Sequence, residues 1–100
     1  MEVIFADDEL DRLEADSDFI ARNMPQGIVK IYRKRMQIIR AALDERDFYK
    51  LKSLHFERLE GKRKHQHSMR LNDQYRLVLE LLDKNPQRKV VKIVSIEDYH

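Results

Sequence analysis

The hydrophobic period changes along the chain, and this change restricts the fold more than any other feature of the sequence. Across residues 28–43 apolar side chains recur every three or four positions with no internal Gly or Pro, which predicts a helix. After Gly61 the period becomes two. Residues 67–71 and 75–81 alternate in polarity about a turn at residues 72–74, which predicts a β-hairpin. A chain with both periods is expected to fold as an α+β domain.

Turn residues and short apolar runs predict the remaining elements. They are a strand at Val3–Phe5, a helix that Asp7 caps and that runs to about Ala15, a break at Asn23–Gly27, a transition segment at Phe48–Leu54, a second turn at Asp83–Gln87 and a strand at Lys89–Ile96. We therefore expect residues 1–100 to form a single α+β domain. A short N-terminal strand and helices packed on one face of a small curved antiparallel sheet would leave the other face open.

Charge is distributed unevenly along the chain. The net charge is only +2, but residues 1–18 hold eight acids against Arg12, a balance of −7, so the remainder carries +9. The densest basic stretch, residues 58–76, includes four cations grouped around Gly61: Arg58, Lys62, Arg63 and Lys64. Such density is typical of proteins that bind a polyanion. A solvated charged face explains the same pattern, and the sequence alone leaves both interpretations open.

Composition excludes several other classes of protein. The chain has no cysteine, so neither a disulfide nor a thiolate nucleophile is available. The start lacks a secretory pattern and no run approaches the ~20 apolar residues that span a bilayer, so we expect a soluble cytoplasmic protein. His65 and His67 lie two positions apart, as if on one strand face. With only His55 and His100 besides, a structural or catalytic metal site is not expected, and no cofactor is predicted.

Two groups of residues are suited to chemistry on a phosphodiester. Arg70 and Arg76 stand on opposite arms of the predicted hairpin with the same parity, so both guanidinium groups can face one surface and bind phosphate. Asp98, Tyr99 and His100 follow the last strand and bring an acid, a phenol and an imidazole that exchanges protons near neutral pH. The alternatives are arginines that only solubilise a sheet face, and a packed ring beside a solvated tail.

Three segments resemble a known family. Residues 66–77, QHSMRLNDQYRL, resemble the QYSIRINDQWRI signature of HigB-type toxins in the RelE/ParE superfamily. Residues 93–100, IVSIEDYH, are similar to the EIVDYH terminus of these toxins, and residues 59–63, LEGKR, to their LKGDR element. The resemblance covers residues 51–100 well, and the amino-terminal half only by the order of its elements.

The resemblance implies a bacterial toxin of a type II toxin–antitoxin system. HigB toxins enter the ribosomal A site and cut messenger RNA during translation, without a metal, which inhibits translation and arrests growth. A HigA antitoxin with a helix-turn-helix neutralises them, and the complex represses its own operon. The implied partners are therefore a HigA-like antitoxin, the ribosome and mRNA, with operator DNA contacted only through the antitoxin and no membrane.

The resemblance also implies roles for individual residues. Arg76 aligns with the phosphate-binding arginine of the family, Arg70 with a second arginine of the signature, and Asp98, Tyr99 and His100 with the terminal cluster. Arg58, Lys62, Arg63 and Lys64 are then expected to bind RNA backbone. The chain departs from the family pattern at three positions that the pattern fills with lysine, histidine and tyrosine: Glu60, Glu57 (with His55 two residues earlier) and His67.

Two other functions stay open at this level. One is a ParE-like toxin that binds DNA gyrase without cutting nucleic acid, since such toxins share the fold. The other is an inactive toxin that acts chiefly as a co-repressor with its antitoxin. The terminal triplet discriminates the first alternative, because gyrase-directed relatives do not need it.

Overall fold

A computed structural model describes residues 1–19, 24–85 and 87–98. Its helices and strands are β1 (Glu2–Phe5), α1 (Asp8–Ala15), α2 (Gln26–Ala41), α3 (Arg46–Lys50), β2 (Glu57–Arg58), β3 (His67–Arg70), β4 (Tyr75–Asn85) and β5 (Arg88–Asp98), with short 3₁₀ turns at Lys52–Leu54 and Gly61–Arg63. The predicted α+β architecture is confirmed. Within the described ranges no helix is long and apolar enough to cross a membrane.

The described strands form one five-stranded sheet in the order β1-β5-β4-β3-β2. The pairs β2–β3, β3–β4 and β4–β5 are antiparallel, and the β3–β4 pair is the hairpin that the alternating pattern predicts. β1 adds to the far edge and runs parallel to β5, with Val3 opposite Val91. This order puts the β3–β4 turn and the end of β5 at the same end of the sheet.

The helices cover one face of the sheet and build the core there. Leu13, Tyr32, Met36 and Ile39 from the helices and Met69, Leu77, Leu79 and Ile93 from the strands are all fully buried. The Tyr32 hydroxyl donates to the Leu10 carbonyl oxygen at 2.7 Å, which satisfies the one polar atom of this ring. Met69 and Leu77 lie on the core face, so Arg70 and Arg76, at the alternate positions, lie on the other face.

The first two helices begin close to their predicted starts. The Asp7 carboxylate accepts a hydrogen bond from the Leu10 amide at 2.9 Å and caps α1, as predicted. The break predicted at Asn23–Gly27 is wrong at Gly27, which lies in the first turn of α2, because the Pro25 carbonyl already accepts from the Ile28 amide at 3.0 Å. Asn23 lies outside the described residues.

The connecting segments are more ordered than predicted. The acidic run after α2 does not only end that helix: its Asp47 carboxylate accepts from the Leu43 amide at 2.9 Å, and α3 starts within it. The transition segment contains α3 and a 3₁₀ turn, and its Phe48 is fully buried. The two-residue strand β2 was not predicted, because two exposed charged residues show no strand pattern.

Candidate functional site

The β3–β4 turn places two arginines side by side. The Asn72 side-chain oxygen accepts hydrogen bonds from the backbone amides of Gln74 and Tyr75 at 2.8 and 2.7 Å and closes the turn. This register puts Arg70 directly opposite Arg76. The predicted pairing of the two guanidinium groups on one surface therefore matches their placement in the sheet.

These arginines line an open cleft beside the turn. Six side chains border it: His55, Arg70, Asn72, Asp73, Gln74 and Arg76. Its volume is about 420 Å³, within the range of roughly 300–1,000 Å³ that is usual for sites that bind small ligands. Two guanidinium groups beside a histidine make the cleft suited to a phosphate group with a sugar or base attached.

Arg76 is held in a fixed orientation. Its Nε donates to the Ser68 hydroxyl oxygen at 2.8 Å, and its Nη2 donates to the His55 carbonyl oxygen at 2.5 Å. The same Nη2 lies 3.5 Å from a carboxylate oxygen of Glu57 on β2, and the Arg76 side chain is only 15% exposed. A cation anchored in this way is already oriented before an anion binds, which lowers the entropic cost of binding.

Arg70 is more exposed than Arg76, at 37% of its side-chain surface. Its guanidinium forms an ion pair with Asp73 in the turn, and the Asp73 side chain is 92% exposed. The Arg70 carbonyl oxygen accepts a hydrogen bond from Nε of Arg35 on α2 at 2.9 Å. Burial, together with the nearby charge of Arg70, lowers the pKa of the Arg35 guanidinium. Three arginines thus concentrate positive charge at this end of the sheet.

His55 reaches the cleft through an uncommon backbone conformation. Among the described residues it is the one non-glycine residue with positive φ, at 45°. Its neighbours Leu54 and Phe56 are buried, and the Phe56 ring stacks on His67 with centroids 5.0 Å apart. His55 was not predicted as a site residue from the sequence. The sequence pattern that could have identified it is a polar residue between two core residues. Such a residue faces solvent while its buried neighbours anchor the segment.

The end of β5 lies beside the same cleft. Asp98 is opposite Tyr75 in the sheet, and the Gln74 side-chain amide donates to an Asp98 carboxylate oxygen at 2.9 Å. Asp98 therefore lies at the same end of the sheet as the arginine pair, although strand parity puts it on the face of Tyr75, opposite to the arginines. Tyr99 and His100 lie outside the described residues.

The four basic residues assigned to RNA backbone differ in their surroundings. Arg58, Lys62 and Lys64 are exposed around the Gly61–Arg63 turn, and Arg58 Nε donates to the Lys64 carbonyl oxygen at 2.6 Å. Gly61 permits this turn with a φ of 66°. Arg63 instead points to β5, where its Nη1 and Nη2 donate to the two carboxylate oxygens of Glu97 at 2.8 and 2.6 Å. These bonds from Arg63, assisted by Ser95, lower the pKa of Glu97.

The histidines near β3 do not form a metal site. His65 lies in the turn before β3, with its Nε2 4.0 Å from a carboxylate oxygen of Glu80, so the prediction that it shares a strand face with His67 is wrong. The His67 ring packs toward the core, and burial lowers its pKa. Across the described part of the chain, no group of three or more His, Asp or Glu side chains is placed to hold a metal ion.

Comparisons with known proteins agree with this geometry. A protein-family model described as a RelE-like toxin of the type II toxin–antitoxin system HigB matches residues 3–97. The fold is similar to a solved YoeB/ParE toxin from Agrobacterium tumefaciens, with a TM-score of 0.56 and 12% identity over 100% of both chains. No curated protein matches the chain. Because the family model spans almost the whole sequence, the chain belongs to the HigB-like family of RelE-like toxins of type II toxin–antitoxin systems.

Proposed function

We propose that this toxin is a ribosome-dependent mRNA endonuclease that inhibits translation in the bacterial cytoplasm. One observation carries the proposal: Arg70 and Arg76 are opposite each other in a cleft that His55 also lines and that borders the strand ending in Asp98. Internal RNA cleavage needs cations at the phosphate and groups that move protons, and this cleft brings both classes together.

The two arginines would bind and stabilise the scissile phosphate. The ribose 2′-oxygen loses its proton and bonds to phosphorus, the bond from phosphorus to the 5′-oxygen breaks, and that oxygen takes up a proton. Arg70 and Arg76 would neutralise the negative charge that builds up on the phosphate oxygens during this exchange. The reaction as proposed requires no metal.

Proton transfer is assigned to the histidines and to the terminal tyrosine. Following the family resemblance, Tyr99 and His100 would position the base and move protons, with Asp98 in support. His55 would add a second imidazole, since it lines the cleft and its own carbonyl oxygen holds Arg76. Two imidazoles would allow one to accept the 2′-hydroxyl proton and the other to protonate the leaving oxygen.

The exposed cations beside the cleft would bind RNA backbone on the ribosome. Arg58, Lys62 and Lys64 stand around the Gly61–Arg63 turn, and their contribution should weaken as salt rises. The antitoxin would be a HigA-like helix-turn-helix protein, and the toxin would reach operator DNA only through it.

Mapping of mRNA 5′ ends after expression of the toxin tests the proposal. We expect new 5′ ends within translated regions when the natural chain is induced, and none when Arg70→Ala is induced. Arg46→Ala is a matched control, because Arg46 is an exposed arginine paired with Asp44, away from the cleft. Growth arrest with unchanged transcripts would reject the nuclease.

A gyrase-directed toxin is the second candidate, because the similar solved structure carries YoeB and ParE together in its name and fold alone does not separate the two activities. Deletion of Tyr99 and His100 should abolish RNA cleavage and spare inhibition of gyrase supercoiling. An inactive toxin that serves as co-repressor would instead give operator binding with the antitoxin and no arrest on its own.

A further inference from the structure

Arg70, Arg76 and Glu97 form one row across three strands. Arg70 is opposite Arg76 between β3 and β4, and Arg76 is opposite Glu97 between β4 and β5. Side chains that are directly opposite in an antiparallel pair have Cβ atoms about 4.5–5.5 Å apart and share a face. The Glu97 carboxylate is therefore a built-in anion within reach of the cation that would bind the RNA phosphate.

Glu97 and Arg76 each make short contacts elsewhere. Both carboxylate oxygens of Glu97 accept from Arg63, at 2.8 and 2.6 Å, and the Ser95 hydroxyl donates to one of them at 2.6 Å. Arg76 leans in the opposite direction, across β3, toward Ser68 and the His55 carbonyl oxygen. The two opposite charges thus diverge, and the bidentate contact with Arg63 holds Glu97 on its side.

Arg63 is itself held in place for this contact. Its Nε donates to the side-chain oxygen of Gln66 at 3.0 Å, and the Gln66 amide group donates to Glu80 on β4 at 3.1 Å. The Gln66 backbone amide also donates to the Arg63 carbonyl oxygen at 2.8 Å. With Gln66 almost fully buried, this chain of bonds orients the Arg63 fork toward Glu97.

We infer that Arg63 is a positioning residue that keeps the Glu97 carboxylate away from Arg76, so that Glu97 does not compete with the RNA phosphate for this guanidinium. This inference rests on the proposed nuclease function. It replaces the role of RNA contact that the sequence suggested for Arg63, because the guanidinium is turned to β5 and both of its terminal nitrogens are bonded to Glu97.

Loss of Arg63 should change the partner of Glu97. The Ser95 hydroxyl is a neutral donor, whereas the Arg76 guanidinium is charged and lies directly across the strand pair. A guanidinium adds the attraction between opposite charges to its hydrogen bonds with a carboxylate, which a neutral hydroxyl does not. Glu97 would therefore turn toward Arg76 and compete with the phosphate at the cleft.

A double-mutant cycle tests this role through cleavage rates on programmed ribosomes. We expect Arg63→Ala to be about 30-fold slower, Glu97→Gln to stay within about threefold of the natural chain, and the double variant to recover to within about threefold. Arg46→Ala serves as the control for loss of an exposed arginine. If Arg63 contacted RNA, the double variant would stay as slow as Arg63→Ala. If the ion pair were only structural, both single variants would lose activity without recovery. Either result overturns the inference.

A second measurement does not depend on cleavage. The NMR signal of the Arg76 Nε–H group should shift in Arg63→Ala and return in the double variant, because it reports directly on the partners of that guanidinium. An Arg76 signal that stays unchanged in Arg63→Ala contradicts the inference. If Arg63→Ala does not fold, Arg63→Gln, which removes the charge and keeps an amide donor, takes its place in both measurements. If the natural chain cuts no RNA, the proposed function is refuted. The NMR signal of Arg76 Nε–H still decides in that case whether Arg63 keeps Glu97 away from Arg76.

Discussion

The side-chain amide of Gln74 donates a hydrogen bond to the Asp98 carboxylate at 2.9 Å and joins the β3–β4 turn to the end of β5. These residues belong to two separate segments of sequence, and the contact brings both to one side of the arginine cleft. The antiparallel pairing of Tyr75 with Asp98 puts the end of β5 at the same end of the sheet as the turn. The cleft is therefore a product of the sheet register.

Substitution of His55 by asparagine should remove the imidazole and keep the backbone conformation at this position. Asparagine tolerates the left-handed conformation at this position, so the fold is expected to hold. We expect cleavage to fall about 100-fold with no loss of thermal stability, since acid–base groups contribute on this scale. The control is His65→Asn, at an exposed histidine outside the cleft. If His55→Asn cleaved RNA at the natural rate, the His55 imidazole would have no part in the mechanism.

Neutralising Asp73 should strengthen binding of RNA. The Asp73 carboxylate pairs with Arg70 at the cleft and competes with a phosphate, but its high exposure limits the worth of the pair to about 0.2–1 kcal/mol. We therefore expect Asp73→Asn to bind a non-cleavable 2′-O-methyl RNA about two- to fivefold more tightly. Asp83→Asn removes a similar exposed ion pair, with Lys89, at the other end of β4 and should leave affinity unchanged. Weaker binding by Asp73→Asn would show that the acid positions Arg70 instead.

The Arg63–Glu97 pair should make stability depend on acid pH. Hydrogen bonds from Arg63 lower the pKa of Glu97 in the folded state, so its contribution is complete above the ordinary glutamate pKa of about 4.3 and is lost as pH falls through the lower folded value. At neutral pH we expect Glu97→Gln to be less stable by about 0.5–1 kcal/mol. Denaturant unfolding across pH should show this difference shrinking in acid. A constant difference at all pH values would mean that the carboxylate charge is not involved.

Ionisation of Tyr32 should lower the free energy of unfolding at alkaline pH, whereas protonation of Glu97 lowers it in acid. Burial first, and then the charge of Glu14, raise the pKa of its phenol, so the contribution of the neutral phenol is full below about pH 10 and is lost as pH rises toward the folded value. The hydroxyl bonds the Leu10 carbonyl oxygen in the core. Tyr32→Phe should therefore cost about 1–2 kcal/mol at neutral pH, and denaturant unfolding should show the difference fall above about pH 10. Equal stability of both chains at neutral pH would contradict this account of the bond.

Short-range patterns were sufficient to predict the elements that carry the arginines. Period-two alternation on both sides of Asn72–Gln74 determined which side chains share a face, so the juxtaposition of Arg70 and Arg76 followed from parity and turn length alone. The cap at Asp7 is equally local, because its partner is the amide of Leu10, three residues away. Such features need only neighbouring residues, and the sequence contains them.

The parts that were missed depend on contacts between distant segments. Arg63 looked like a surface cation because its partner, Glu97, lies 34 residues further along the chain. His55 enters the cleft because Leu54 and Phe56 are buried against strands that follow them in sequence. β2 exists only through its pairing with β3. No local pattern reports such contacts, so neither the Arg63–Glu97 pair nor the position of His55 could be predicted from the sequence.

Single-turnover cleavage of an mRNA held in the ribosomal A site measures the proposed role of the arginine pair. In this role, Arg70 and Arg76 together bind the scissile phosphate. We expect Arg70→Ala to cut at least about 100-fold more slowly than the natural chain while Arg46→Ala cuts at the natural rate. Cleavage by Arg70→Ala at the natural rate, with the same 5′ ends, would contradict the account.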